Sequence, residues 1–217
     1  MVEQIFTRDL EREHIPEVTR RRGAQVGGAV VVLPELAKRL AGEVNAKFKA
    51  PQILINSAGI NIRKSVTDFT LKEFQSVVDS SLVTTFLACN AFVPGMKGTG
   101  YGRIINLASM MAHISLPNRT AYSGGKAGLL GFTKSLALEL AMEGITVNSI
   151  SPGPFHTEMN LPVINDPEAN KLFLSKLPVG RWGKVEEIGG LVCYLCSDLA
   201  GFITGTDIII DGGWTAA

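Results

Sequence analysis

Short apolar runs alternate with longer amphipathic segments from residue 50 to the C-terminus. Each apolar run predicts a strand that is buried on both faces: residues 52–56, 103–107, 145–150 and 206–210. The intervening segments carry apolar residues at helical spacing: residues 71–96, 120–143, 167–177 and 185–197. This alternation predicts an α/β fold, a Rossmann-like, doubly wound parallel sheet with helices on both faces.

The longest predicted helix covers residues 71–96. Phe74, Val78, Leu82 and Phe86 recur every four residues and therefore form one stripe along it.

The first 50 residues follow a different pattern. Residues 8–22 are charged and helix-like, residues 29–33 could form a strand, and residues 34–48 predict a helix with Pro34 in its first turn. No strand is predicted before Arg8. Residues 1–28 therefore look atypical for the start of such a fold.

Composition limits the class of protein. The chain has 217 residues, 46% of them hydrophobic, which predicts one domain over residues 1–217. Its net charge of +1 gives no reason to expect a nucleic-acid partner. No apolar stretch approaches the roughly 20 residues of a membrane span, and the start lacks the layout of a signal peptide. We therefore predict a cytoplasmic protein without a membrane partner.

Three cysteines fit a reducing compartment better than a disulfide framework. Cys193 and Cys196 form a C-x-x-C inside an apolar, helix-like segment, with no second Cys or His pair nearby to complete a zinc site. We interpret them as two small core residues and predict no metal. Cys89 lies in another apolar stretch and is interpreted in the same way.

Small or polar residues follow three of the predicted strands. They are residues 56–59, Ser109 and Pro152-Gly153. Because the carboxyl ends of parallel strands meet along one crevice, the three strand ends predict a single site.

Tyr122 and Lys126 lie four residues apart at the start of a predicted helix and therefore share one face. Together with Ser109 they can form a proton-transfer site. A nearby ammonium lowers the pKa of a phenol, and a hydroxyl can hold a carbonyl or alcohol oxygen.

These motifs resemble those of the classical short-chain dehydrogenase/reductase family from about residue 30 to the C-terminus. The matching positions are Asn-Ser-Ala-Gly at residues 56–59, Ser109, Tyr122 with Lys126, Pro152-Gly153 with Thr157, and Asp211-Gly212-Gly213. The resemblance implies an oxidoreductase that moves a hydride between NAD or NADP and a ketone or secondary alcohol. It implies that Tyr122 is the general acid/base, that Lys126 supplies positive charge and binds the nicotinamide ribose, and that Ser109 polarises the carbonyl.

The resemblance also implies cofactor contacts. They would come from Tyr122 and Lys126, from Asn56, Ala58 and Gly59 after one strand, and from Pro152, Gly153, Phe155 and Thr157 after another. Residues 155–177 resemble a mobile segment that covers the substrate.

Two positions depart from the family pattern. Ser81 stands where many members carry a catalytic Asn that anchors a water molecule, so the resemblance makes Ser81 a shorter candidate for the same role. The glycine-rich pyrophosphate loop has only a partial counterpart, at residues 22–29, and we interpret that stretch as a turn before a strand. Either the first strand, helix and second strand are missing, or the sequence omits residues of a longer chain.

The resemblance identifies the substrate class and the oligomeric state only in part. Residues 177–188 look like both 3-oxoacyl-[acyl-carrier-protein] reductases and sugar-acid dehydrogenases such as gluconate 5-dehydrogenase, and we favour a sugar acid or polyol. Members of the family form homo-oligomers, so a tetramer or dimer is expected. The alternative is a truncated, non-catalytic member that acts as an oligomer subunit or binding protein.

Overall fold

A mixed, mostly parallel sheet forms the centre of the structure. This computed structural model describes residues 4–6, 24–26, 29–31, 34–48 and 50–217. The described residues form these strands: β1 (Gln4–Phe6), β2 (Ala24–Val26), β3 (Ala29–Val31), β4 (Ile53–Asn56), β5 (Gly102–Leu107), β6 (Ile145–Pro152) and β7 (Asp207–Ile210). The central sheet has the order β1–β4–β5–β6–β7, and β4 to β7 are mutually parallel. The predicted α/β parallel sheet is therefore confirmed for these four strands.

The first strands differ from those predicted from the sequence. Strand β1 lies before Arg8, where no strand was predicted, and it pairs antiparallel with β4. This pairing satisfies backbone groups that β4 would otherwise leave open at the edge of the sheet. Among the described strands, β2 and β3 pair only with each other, so residues 24–26 form a strand where a turn was predicted. The charged residues 8–22 lie outside the described part of the chain.

Helices fill the connections. The described part contains α1 (Pro34–Phe48), α2 (Leu71–Val78), α3 (Thr84–Met96), α4 (Thr120–Leu140), α5 (Leu161–Ile164), α6 (Pro167–Ser175) and α7 (Val185–Leu195). Helix α2 begins with a capping box, in which Thr70 and Glu73 satisfy each other's backbone N–H groups. A π-helical turn, Asp79–Val83, joins α2 to α3 without interrupting the helical path.

Successive side chains of each strand point to opposite faces of the sheet, which creates two apolar layers. Leu54, Ile104 and Val147 point to one face and pack with residues of α1, α3 and α4. Ile55 and Ile105 point to the other face and pack with α7 and the chain that follows it. The two layers hold the carboxyl ends of β4, β5 and β6 side by side.

The side of the long helix that faces the core is not the predicted apolar stripe. Phe74 and Phe86 of the predicted stripe are 38% and 50% exposed. Ser80, Ser81, Thr84 and other small residues are buried instead. This side can approach α4 closely because α4 presents Gly125 and Gly128.

By length and composition, residues 71–96 would also qualify as a membrane span, contrary to the sequence-based statement that no stretch approaches that length. More than half of the most apolar window, 56%, is buried inside the protein, which is typical of a core helix.

The three cysteines differ in their surroundings. Cys89 is buried, as predicted, but Cys193 is exposed and Cys196 is half-buried. The prediction of a buried cysteine pair is wrong because α7 lays only one of its faces on the sheet. Burial raises the pKa of the Cys196 thiol to about 11.

Candidate active site

Ser109 stands just beyond the carboxyl end of β5. Its side chain is buried and begins a short helical turn, Met110–Ala112, where the Met111 N–H donates to Ser109 Oγ at 3.1 Å. Because the hydroxyl oxygen already accepts this bond, the hydroxyl hydrogen remains able to donate to another oxygen. The turn therefore presents Ser109 as an oriented donor.

His113 anchors the far end of the same loop to the sheet. His113 Nε2 lies 2.7 Å from Asp207 Oδ2 at the start of β7. The hydroxyls of Ser149 and Ser151 on β6 donate to the other oxygen of this carboxylate, at 2.6 and 3.0 Å. The loop that carries Ser109 is thus fixed to two neighbouring strands.

Lys126 is buried in the first third of α4. Its Nζ donates to the Leu107 carbonyl at the end of β5 at 2.6 Å and lies 5.9 Å from the centroid of the Tyr122 ring. Burial lowers the pKa of Lys126 to about 8, because desolvation disfavours the charged ammonium. The helix therefore places Lys126 and Tyr122 on one face, as the sequence predicts.

The phenol of Tyr122 has a raised pKa, which reverses the sequence-based expectation. Burial is the main cause, while the Ser109 hydroxyl and the positive charge of Arg119 act in the opposite direction. Lys126 was expected to lower this pKa, but the effect of burial is larger than that of any neighbouring charge. Tyr122 is consequently a protonated phenol at neutral pH.

Gly59 and Ser81 complete the surroundings of Lys126. A Cβ at Gly59 would stand 3.3 Å from Lys126 Nζ and 3.8 Å from Ser81 Cβ, so three separate elements meet at this point. Ser81 lies in the π-helical turn, a type of irregularity that is frequent at functional sites. Its hydroxyl donates to the Val77 carbonyl at 3.3 Å. The glycine keeps space open beside the ammonium.

Asn56 supports the end of β4 from the interior. Its Nδ2 donates to Asn106 Oδ1 at 2.8 Å, and Asn106 Nδ2 donates to Thr133 Oγ1 on α4 at 2.9 Å. These buried amides tie β4, β5 and α4 together. Ala58 and Gly59 follow as half-buried residues of the loop.

The loop after β6 contacts β7 closely. The Gly153 N–H donates to the Ile210 carbonyl at 2.9 Å, and a Cβ at Gly153 would stand 2.6 Å from Asp211 Cα. Phe155 is buried against Gly183, whereas Pro152 and Thr157 are half-buried. The described contacts of this loop therefore run to β7 and to Gly183.

Gly153→Ala should destabilise the protein by about 1–3 kcal/mol, because the added methyl group overlaps the backbone of Asp211. Gly131→Ala is the matched control, since nothing lies within 4 Å of its Cβ position in α4. The control should stabilise the helix by about 0.5–1 kcal/mol. Denaturant unfolding of both variants tests this, and equal effects of the two substitutions would contradict the close contact.

Tyr122 belongs to an apolar and aromatic cluster. Phe173 of α6 stacks on Trp182 with ring centroids 5.7 Å apart and contacts Trp214 at 5.4 Å. Phe173 and Leu174 belong to the same cluster as Tyr122. The segment that resembles a substrate cover therefore packs on the same buried residues as the candidate acid/base.

Arg119 is a site residue that the sequence analysis missed. It immediately precedes α4, three residues before Tyr122, and is only 9% exposed. Burial is the main cause of its lowered pKa, followed by the charge of Arg63. The helical spacing to Tyr122 was a visible signal, but a cation beside a helix start ordinarily predicts a solvated residue.

Comparisons with known proteins agree with this geometry. A family model described as enoyl-(acyl carrier protein) reductase matches residues 5–215. The D-beta-hydroxybutyrate dehydrogenase of Rhizobium meliloti (strain 1021) is 35% identical over 192 residues, which cover 84% of this chain and 74% of that protein.

Two solved structures share the fold over most of the chain. The gluconate 5-dehydrogenase from Burkholderia cenocepacia J2315, in complex with NADP and tartrate, superposes with a TM-score of 0.82 at 29% identity, covering 85% of this chain and 72% of that one. A 4-hydroxyisoleucine dehydrogenase complexed with NADH gives a TM-score of 0.81 at 34% identity, covering 85% and 76%.

Proposed function

Because the chain belongs to the short-chain dehydrogenase/reductase family and is an NAD(P)-dependent oxidoreductase, we propose that Tyr122 carries the proton in its reaction. The reaction moves a hydride between a nicotinamide cofactor and a ketone or secondary alcohol. The observation that supports Tyr122 is its placement on one helical face with Lys126, within reach of the Ser109 hydroxyl.

The described residues fit NAD or NADP at the nicotinamide end. Glycine at position 59 leaves open the space beside Lys126 Nζ, and Ala58 adds little bulk to the same loop. In this proposal Lys126 binds the ribose hydroxyls, while residues 152–157, with Phe155 and Thr157, hold the carboxamide. When bound, the cofactor supplies or accepts the hydride at the substrate carbon.

The protein's own residues bind the substrate oxygen and transfer a proton to it. Ser109 donates to that oxygen, and Tyr122 gives it a proton in the direction of ketone reduction. Lys126 provides positive charge beside the phenolate that remains. Ser81, which together with Lys126 flanks Gly59, can hold a water molecule that returns a proton.

The raised pKa of Tyr122 predicts a pH dependence. Alcohol oxidation requires the phenolate, which forms only as pH approaches that pKa, whereas reduction uses the phenol that is present below it. The kcat/KM for oxidation should therefore keep rising up to about pH 8, where Lys126 begins to lose its charge, and that for reduction should not. A pH–rate profile measures both, and an oxidation rate that is already constant below pH 7 would contradict the raised pKa.

Cofactor titration tests the function itself. NADH and NADPH fluorescence should change saturably on addition of the purified chain. No binding of either cofactor at millimolar concentrations would reject the enzyme and favour a non-catalytic oligomer subunit.

The relatives suggest the substrate range. The names of similar proteins include a gluconate 5-dehydrogenase, a hydroxybutyrate dehydrogenase and an acetoacetyl-CoA reductase. Our proposal for this chain is accordingly a hydroxy acid of the sugar-acid or short aliphatic kind, or a 3-oxoacyl thioester.

We also propose that the chain forms a homo-oligomer, a dimer or tetramer, in the cytoplasm. Leu138 and Met142, one helical turn apart near the end of α4, are 82% and 98% exposed, and Phe202 is fully exposed. Apolar side chains in such number favour burial against a second copy. None of the three cysteines forms a disulfide, in keeping with a reducing compartment. Leu138→Glu should lower the molecular mass that sedimentation measures. A parent protein that sediments as a monomer would contradict the proposed homo-oligomer.

A further inference from the structure

Arg119 places a mostly buried positive charge at the start of α4. It is 9% exposed, and within the described part of the chain its guanidinium forms no ion pair with a carboxylate. Burying a charge is unfavourable unless an opposite charge or hydrogen bonds compensate. A guanidinium held in this way fits an anion that arrives with the substrate.

The position of Arg119 places it beside the reacting group. It lies immediately before the first residue of α4 and three residues before Tyr122, so the two side chains belong to the same turn. Its positive charge acts on the Tyr122 phenol. An anion bound to Arg119 would therefore belong to the molecule whose oxygen meets Tyr122.

A second cation approaches from the loop after β4. Arg63 is exposed, and its charge disfavours the charged form of Arg119. Like Arg119, it forms no ion pair with a carboxylate among the described residues. Two residues earlier, Asn61 has a buried amide oxygen without a hydrogen-bond partner. Two cations that repel each other gain most from an anion placed between them.

Tyr122 also packs in an apolar cluster. The side chains packed in its cluster include Met110, Met111, Ile114, Leu116, Phe173 and Leu174. Such walls offer no partners for a row of hydroxyl groups, which would lose hydrogen bonds to water on entering. A compact aliphatic body suits them better.

We propose that Arg119, assisted by Arg63, binds a carboxylate of the substrate, so that the substrate is a small oxo or hydroxy carboxylic acid with an aliphatic body. This inference rests on the proposed function, because it assigns the oxo or hydroxyl group to Tyr122. It makes Arg119 a specificity-determining residue, since an arginine can bind a carboxylate through two parallel hydrogen bonds.

Equilibrium binding tests the anion site without turnover. Succinate is the probe, because it carries carboxylates and no reducible carbonyl, and neutral succinamide is its matched control. In titration calorimetry the wild-type chain should bind succinate and not succinamide. Arg119→Gln should weaken succinate binding by about 10- to 100-fold, the range of a charge-assisted hydrogen-bond pair. Arg39→Gln, an exposed arginine of α1, should leave it unchanged.

Kinetics test the link to the substrate. Oxo acids with the ketone one, two or three carbons from the carboxylate are each compared with their methyl esters. For at least one pair, wild-type kcat/KM should favour the acid about 10- to 100-fold. Arg119→Gln should remove this preference by raising KM for the acid more than it lowers kcat. Arg119→Lys should restore part of it, and Arg63→Gln should cause a smaller rise in KM.

The outcomes separate this inference from the proposed function. Undiminished succinate binding by Arg119→Gln, no succinate binding by the wild type, or an ester preferred in every pair would overturn the carboxylate site. Absence of turnover with any ketone would instead reject the proposed function, and calorimetry would still decide the anion site. If Arg119→Gln does not fold, Arg119→Lys and Arg63→Gln decide the outcome by the same measurements.

Discussion

Tyr122→Phe should lower kcat by about 10²- to 10⁴-fold while leaving cofactor affinity nearly unchanged, because only the transferable proton is removed. The phenylalanine ring fills the same space in the apolar cluster, so no cavity is created. Steady-state kinetics and nicotinamide fluorescence titration measure the two effects separately.

Tyr194→Phe is the matched control for this substitution. Tyr194 lies on α7, and its side chain is 45% exposed. Loss of its hydroxyl should leave kcat within about twofold of the parent value, as for surface changes in general. Activity that survives Tyr122→Phe would show that another group carries the proton.

Lys126→Met should lower kcat/KM by about 100-fold or more and should also remove a pH-dependent part of the stability. Burial lowers the pKa of Lys126 from 10.5 to about 8 in the folded protein. Between these two values the unfolded chain holds a proton that the folded chain has released. The free energy of unfolding therefore rises with pH across this window.

The size of this effect follows from the pKa difference. The wild-type protein should gain about 3 kcal/mol between pH 8 and pH 10.5 relative to Lys126→Met. Chemical denaturation of both proteins at a series of pH values measures the difference. Lys134→Met, an exposed lysine on the same helix, is the control and should show no such dependence. A parallel pH dependence of wild type and Lys126→Met would mean that Lys126 is not desolvated.

The four parallel strands could be predicted because their apolar runs are long enough to stand out. Residues 145–150, for example, fall within β6. Strand β1 could not be predicted because its three residues show no periodicity, and its place depends on the open edge of β4. A strand that forms only because another strand offers an open edge cannot be recognised from its own sequence pattern.

The orientation of the long helix was less predictable than its existence. Phe74 and Phe86 form an apolar stripe, yet Ser81 and Thr84 are the residues that face the core. Their hydroxyls donate to backbone carbonyls of the same helix, so burial leaves them satisfied. The glycines of α4 allow the close approach, and this pairing is visible only in three dimensions.

In the active site, too, the spacing of residues could be predicted from the sequence, whereas the surroundings of their side chains could not. The spacing of Tyr122 and Lys126 predicted their common face correctly. The predicted direction of the Tyr122 pKa shift was wrong, because burial outweighs the nearby charges. Arg119 was missed since its burial depends on neighbours that are distant in sequence.

Deuterium transfer tests the central claim most directly. NADH or NADPH labelled at nicotinamide C4 is mixed with a ketone panel and the wild-type chain, and the alcohol products are analysed by mass spectrometry. We expect an alcohol that carries one deuterium on its carbinol carbon with the wild type, and almost none with Tyr122→Phe in the same time. No labelled alcohol from any ketone, or equal labelling by both proteins, would contradict the role of Tyr122.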